Sequence, residues 1–106
     1  MKRGDLITIA LQGEYGKPRP ALVVQSNTLS DLESVIVCPL TSKLCDCDFR
    51  VLLEPSASNN LSRTSLVMVD KIVAIPLTKT GNVFGSVDAR KMMEVDRALL
   101  LVIGLA

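Results

Sequence analysis

Before residue 88 no apolar run in this 106-residue chain lasts long enough at helical spacing to make a helix. The runs at residues 6–11, 21–25, 35–38, 49–54 and 65–75 are rich in Val, Ile and Leu, and each is closed by a proline, a glycine or a polar cluster. Only the last segment differs: Met92, Val95, Leu99, Val102 and Ile103 recur with the helical period. Several short strands followed by one helix imply a mainly β, α+β domain, with a curved antiparallel sheet or open barrel and the helix packed on it. Aromatic residues are only 3% and Trp is absent, so the core must be built from Val, Ile, Leu and Met. One domain over residues 1–106 is expected. At that length surface is large relative to volume, and burial in an oligomer interface would help.

Locally, residues 35–38 form a continuous β-branched run of the kind buried on both faces of a sheet. Pro39 should limit ladder pairing, so that residues 40–43 leave the sheet. Phe49, Val51 and Leu53 share one face of a strand, with Arg50 and Glu54 on the other. Residues 65–75 read as one long strand with a bend at Asp70-Lys71, and Gly81-Asn82 and Gly85-Ser86 as turns around a short strand at 83–84. Asp88 is a good helix N-cap, Arg90 and Glu94 stand four apart on the helix, and Gly104 should stop it. The helix end is apolar nearly all round, which suggests cover on more than one side.

Lys plus Arg is 12 against 11 for Asp plus Glu, a net charge of +1. That balance neither announces nor excludes nucleic-acid binding, since a local basic groove can hold phosphate on a neutral protein. The charged start at Lys2-Arg3-Gly4-Asp5 lacks a signal-peptide pattern, and no segment is long and apolar enough to span a membrane. A cytoplasmic protein without a membrane partner is expected. With no histidine, Ser-His-Asp, Cys-His and His-based ribonuclease mechanisms are unavailable. There is no phosphate-binding Gly-rich loop and no carboxylate cluster of the two-metal type. Cys38, Cys45 and Cys47 read as three reduced thiols. A bridge across Cys45-Asp46-Cys47 looks too tight, and a zinc site would need Asp46 or Asp48 to complete it. No cofactor or metal is expected.

The chemistry then falls to three places. In Glu14-Tyr15-Gly16-Lys17-Pro18-Arg19-Pro20, two prolines fix the backbone on either side of Arg19, which suits a guanidinium meant to fork onto phosphate. The same residues would also make an ordinary surface loop with a salt-bridged Arg. Thr41, Ser42 and Lys43 follow a strand and could hold an anion or merely cap a turn. Asp70 interrupts an apolar stretch and is either paired, with Lys71 or across the sheet, or functional.

Five pieces, in order along the whole chain, resemble the MazF/PemK/Kid toxins of toxin–antitoxin modules. They are Lys2-Arg3-Gly4-Asp5-Leu6, Gly16-Lys17-Pro18-Arg19-Pro20-Ala21-Leu22-Val23-Val24, Val37-Cys38-Pro39-Leu40-Thr41-Ser42, Val69-Asp70 and the C-terminal helix. The resemblance implies an SH3-like, CcdB-type barrel, a homodimer, and a metal-independent endoribonuclease that cuts single-stranded messenger RNA at short sequences. It also implies an antitoxin whose acidic tail occupies the RNA groove, with operator DNA as a further partner of that complex. Residue by residue, it puts Arg19 on the scissile phosphate and Thr41 beside it as a donor, with Ser42 and Lys17 binding substrate. Glu14, five positions before Arg19, becomes the general base, and Tyr15 a stacking platform for a base. Asp70 matches the catalytic Asp of the Kid branch, but the Arg that branch carries two residues earlier is Met68 here, which favours Glu14 with Arg19.

Two other functions share this fold. A CcdB-like gyrase poison would bind protein without catalysis, but that family grips gyrase through a C-terminal Trp and this chain has none. A non-catalytic SH3-like nucleic-acid or protein-binding module would use Glu14 and Arg19 for binding alone.

Overall fold

The computed structural model describes residues 1–11 and 17–106. Seven strands and one helix follow in order: β1 (Asp5–Ile9), β2 (Arg19–Val23), β3 (Ser34–Thr41), β4 (Arg50–Leu53), β5 (Ser65–Met68), β6 (Val73–Pro76), β7 (Thr80–Ser86) and α1 (Ala89–Val102). They form one sheet in the order β4-β5-β3-β2-β1-β7, every pairing antiparallel. The sheet does not close, since β4 and β7 are its two ends. Strand β3 is the spine: Ser34 to Val37 pair with β6, while Leu40 and Thr41 pair with β5. No helix among the described residues is long and apolar enough to cross a membrane.

Strand alternation splits the buried aliphatic side chains between two clusters. Leu6, Leu22, Cys38 and Leu40 join Val51, Val67 and the helix residues Met92, Val95 and Ala98. Their neighbours in sequence, Ile7, Ile9, Ala21, Val23, Val35 and Val37, form the second cluster with Ile75. The run at 35–38 thus has apolar cover on both faces, as its composition implied. Asp88 caps α1 by accepting the Lys91 N–H at 2.9 Å. Glu94 pairs with Lys91 at 3.2 Å, three residues away, where the sequence had put Arg90 four away. Gly104, with φ +79°, follows the end of the helix. Leu101, Ile103 and Leu105 are exposed.

Several local expectations are corrected. Residues 65–75 are two strands, because a single 3-10 turn at Val69–Lys71 redirects the chain while Val69 stays buried in the first cluster. Pro39 does not end pairing: it sits opposite Ala21, and the strand runs on to Thr41. Residues 80–86 are continuous strand, and Gly81 and Gly85 are contact points within it. A Cβ at Gly81 would fall 2.1 Å from Thr8 Oγ1, and one at Gly85 would fall 2.3 Å from the Asn59 carbonyl oxygen. Cys45 and Cys47 form a disulfide, their Cα atoms 5.7 Å apart, a separation ordinary for a bridge. Cys38 is the small buried hydrophobe expected. Burial first, then the nearby charge of Asp70, push its thiol up to about 12, against the smaller opposing effect of Arg3.

The Arg-Gly-Asp opening is architectural. Gly4 takes φ +95°, its N–H donates to the Val23 carbonyl at 2.9 Å, and its own carbonyl accepts from Val87 at 2.9 Å. Arg3 donates through Nε to the Val24 carbonyl at 3.1 Å and pairs with Asp96 of α1. The buried Asp5 carboxylate accepts the Lys2 N–H at 2.8 Å. The motif ties β1, the end of β2 and the helix together.

Candidate functional site

Arg19 opens β2 and stands opposite Ile9 on β1, so its backbone is held by the sheet. On the other side of β2, Ala21 is opposite Pro39 and Val23 opposite Val37. Arg19 and Thr41 each lie two residues beyond the Ala21–Pro39 pair that ends that ladder. The alternation that sends Ala21, Val23, Val35 and Val37 into the second apolar cluster therefore places Arg19 and Thr41 at the end of the same face.

A cleft of about 410 Å³ opens there, and Leu11, Arg19, Pro39, Thr41, Ser42 and Arg63 are among its walls. Ser62 and the β5 residues Ser65 and Met68 also line it. Among the described residues lining it there is no Asp or Glu. Two guanidiniums and four hydroxyls, with no carboxylate on the described walls, are a lining suited to an anion. Thr41 Oγ1 accepts the Lys43 N–H at 3.1 Å, which caps the turn and leaves the hydroxyl proton as a donor. Of the two readings of that threonine, the turn cap is the one the hydrogen bond displays.

Of the residues singled out in the sequence, Arg19, Thr41 and Ser42 come together at the cleft. Lys17 is exposed and not part of the lining. Glu14 and Tyr15 lie outside the described residues. Asp70 is in the 3-10 turn and not on the cleft. Its carboxylate is gripped by Arg50, with Nε to Oδ1 at 2.9 Å and a second bond to Oδ2 at 3.0 Å. Arg50 stands directly across the sheet from Met68. A guanidinium thus reaches Asp70 from β4, where the Kid pattern has one two residues before the Asp. Arg50 also lies 5.9 Å from the Phe49 ring centre.

The Arg50 hydrogen bonds hold the Asp70 carboxyl below the usual carboxylate range. A lowered folded-state pKa contributes stability above the unfolded value, which is lost as pH falls through the lowered one. The pair is partly exposed, so its contribution is under about 1 kcal/mol. In Arg50→Gln the Asp70 carboxyl should titrate higher, back in the usual carboxylate range, in an NMR titration. A titration that does not move would show that Arg50 is not the cause.

Sequence reasoning missed Arg63, which sits in a polar loop that offers no motif, and missed Arg50 as the partner of Asp70, twenty positions away.

A family model described as "PemK-like, MazF-like toxin of type II toxin-antitoxin system" matches residues 2–103. A "Probable endoribonuclease MazF" of Mycolicibacterium smegmatis is 37% identical over 108 residues, covering all of this chain and 99% of its own. Among solved structures, the Mycobacterium tuberculosis toxin MazF-mt6 superposes with a TM-score of 0.84 at 23% identity, over 96% of this chain and 98% of that one. A mycobacterial endoribonuclease solved with its cognate antitoxin gives 0.86 at 22% identity, over 100% and 97%. With the family model spanning nearly the whole chain and a full-length relative above 30% identity, the protein belongs to the PemK-like, MazF-like toxins of type II toxin–antitoxin systems.

Proposed function

We propose that this toxin is an endoribonuclease that cuts single-stranded RNA, messenger RNA included, at short sequences and without a metal ion. The observation that carries the reading is the cleft that Arg19 and Thr41 share, with no carboxylate on its described walls, in a chain of this family. Glu14 takes the proton from the ribose 2′-OH, whose oxygen forms a bond to the adjacent phosphorus. Arg19 neutralises the charge that grows on the phosphoryl oxygens, and the Thr41 hydroxyl donates to one of them. The bond from phosphorus to the 5′-oxygen breaks, and that oxygen takes up a proton from the Arg19 guanidinium or from solvent. The products are a 2′,3′-cyclic phosphate and a 5′-OH. The nucleophile comes from the substrate, so DNA is inert and a metal-bound water is not required. Ser42 and Lys17 bind flanking phosphates, and Tyr15 stacks on a base. Asp70, whose carboxylate is taken by Arg50 and which is not among the described cleft walls, supports binding at the edge of the site and leaves the base to Glu14.

The cognate antitoxin covers the cleft with an acidic segment, in keeping with the absence of carboxylates on its described walls. A MazE–MazF structure from Deinococcus radiodurans, 23% identical with a TM-score of 0.80, shares the fold. The complex also binds operator DNA. The exposed apolar end of α1 serves a homodimer in the cytoplasm, and a monomer in light scattering at micromolar concentration would remove that part of the proposal.

The test is incubation with a long single-stranded RNA in EDTA, followed by mapping of cut positions and end groups. Cuts at one short recurrent sequence with cyclic-phosphate ends are expected, and a single 2′-deoxyribose at the cut position should abolish them. Intact RNA would overturn the proposal.

A further inference from the structure

The segment between β4 and β5 is built around a buried side chain. Asn59 is only 6% exposed. Its Oδ1 accepts from the Ser56 N–H at 2.9 Å and the Leu61 N–H at 3.0 Å, and its Nδ2 donates to the Glu54 carbonyl at 2.8 Å. Asn60, in the left-handed region at φ +54°, donates through Nδ2 to the Phe84 carbonyl at 2.7 Å. The Ser86 N–H donates to the Ser58 carbonyl at 2.9 Å. The segment is thereby fastened to β7 on one side and to itself on the other. Its last residues are fixed as well: Ser65 Oγ donates to the Arg63 carbonyl at 2.9 Å, and Thr64 Oγ1 donates to Glu54 Oε2 at 3.1 Å.

What this framework presents to the cleft is Leu61, Ser62 and Arg63. Among the described residues no ion pair engages the Arg63 guanidinium. Glu54, the acid of the segment, accepts from Thr64 and is not among the cleft walls. A cation on an internally bonded loop, sharing the cleft with a second arginine and with no acid among the described walls, is preorganised for a second negative charge. Single-stranded RNA carries one phosphate per nucleotide, so an anion held by Arg19 always has a neighbour.

We propose that Arg63 binds the phosphate next to the one that reacts, making the cleft a two-phosphate site. The inference rests on the ribonuclease reading and adds a residue and a division of labour to it. Arg19 acts on the charge that develops in the transition state. Arg63 holds a charge that does not change during the reaction, so it contributes equally to substrate and transition state and acts on KM.

The experiment uses full-length protein and an oligoribonucleotide spanning a mapped cut site. For binding, the same oligonucleotide carries a 2′-deoxyribose at the cut position. Arg63→Gln should raise KM about tenfold with kcat within about twofold. The slope of log affinity against log salt should shrink by about 0.7, the value for one phosphate contact on a single strand. Arg63→Lys should restore the salt slope, because the charge returns. A purely structural Arg63 would leave that slope untouched. Wild-type slope and KM in Arg63→Gln, with the wild-type protein still cutting, would overturn the role of Arg63 alone. Wild-type protein that leaves the RNA intact would overturn the ribonuclease reading, and this inference with it.

Discussion

Arg19→Ala should lower the cleavage rate by about 10³-fold while the protein stays folded. Arg19 holds its place through backbone pairing with Ile9, which the substitution leaves intact, and its side chain is exposed. The loss in folding stability should stay within about 1 kcal/mol. The effect on rate is large because the guanidinium acts on charge that appears only as the 2′-oxygen attacks. An interaction made in the transition state alone lowers kcat and kcat/KM together. Arg19→Lys should recover about tenfold of the loss, since a point charge survives and the planar fork onto two phosphoryl oxygens does not. The check is single-turnover cleavage of a mapped oligoribonucleotide, with a thermal melt of each variant beside it. A wild-type rate in Arg19→Ala would remove Arg19 from the reaction. The contrast with Arg63 is part of the prediction: one arginine sets kcat and the other KM.

The parts of the molecule legible in the sequence were those whose cause is local. The run at 35–38 is apolar at every position because each residue faces one of two aliphatic clusters. The helix announced itself because Met92 and Val95 repeat on one buried face behind an Asp88 cap. Arg19 and Thr41 were singled out through the motifs around them, and both line the same cleft. What could not be read depends on pairs distant in the chain. Gly81 and Gly85 looked like turns because a glycine reads the same whether it supplies an unusual φ or makes room, and here Thr8 and Asn59 decide which. A partner for Asp70 across the sheet was open in the sequence, but its identity was not, because Arg50 reaches it over the β4–β5 ladder. The bend at 69–71 was blurred because Val69 continues the apolar pattern through a turn. Arg63 carried no signal because its position is the product of a loop folded on Asn59.

That loop gives the second large effect. Gly85→Ala would set a Cβ 2.3 Å from the Asn59 carbonyl oxygen and 2.6 Å from the carbonyl carbon. Both are main-chain atoms, and neither can rotate away. Gly85 itself is opposite Leu6, which is fully buried, so β7 has no room to retreat. The strain must be relieved by lifting the loop, at the expense of the bonds from Ser86 to Ser58 and from Asn60 to Phe84. We expect a destabilisation of about 3 kcal/mol, at the upper end for overpacking. For a domain of this size that lowers the melting temperature by about 12 °C or more. Gly81→Ala is the control. Its Cβ would meet Thr8 Oγ1, a side-chain atom that can turn aside, so the loss should be about 1 kcal/mol. Equal melting temperatures for Gly85→Ala and the wild type would mean that the loop is not seated on β7. If Gly85→Ala does melt early, cleavage measured well below its transition separates support from chemistry. Lifting the loop displaces Arg63 and leaves Arg19 on its strand, so KM should rise with little change in kcat, as in Arg63→Gln.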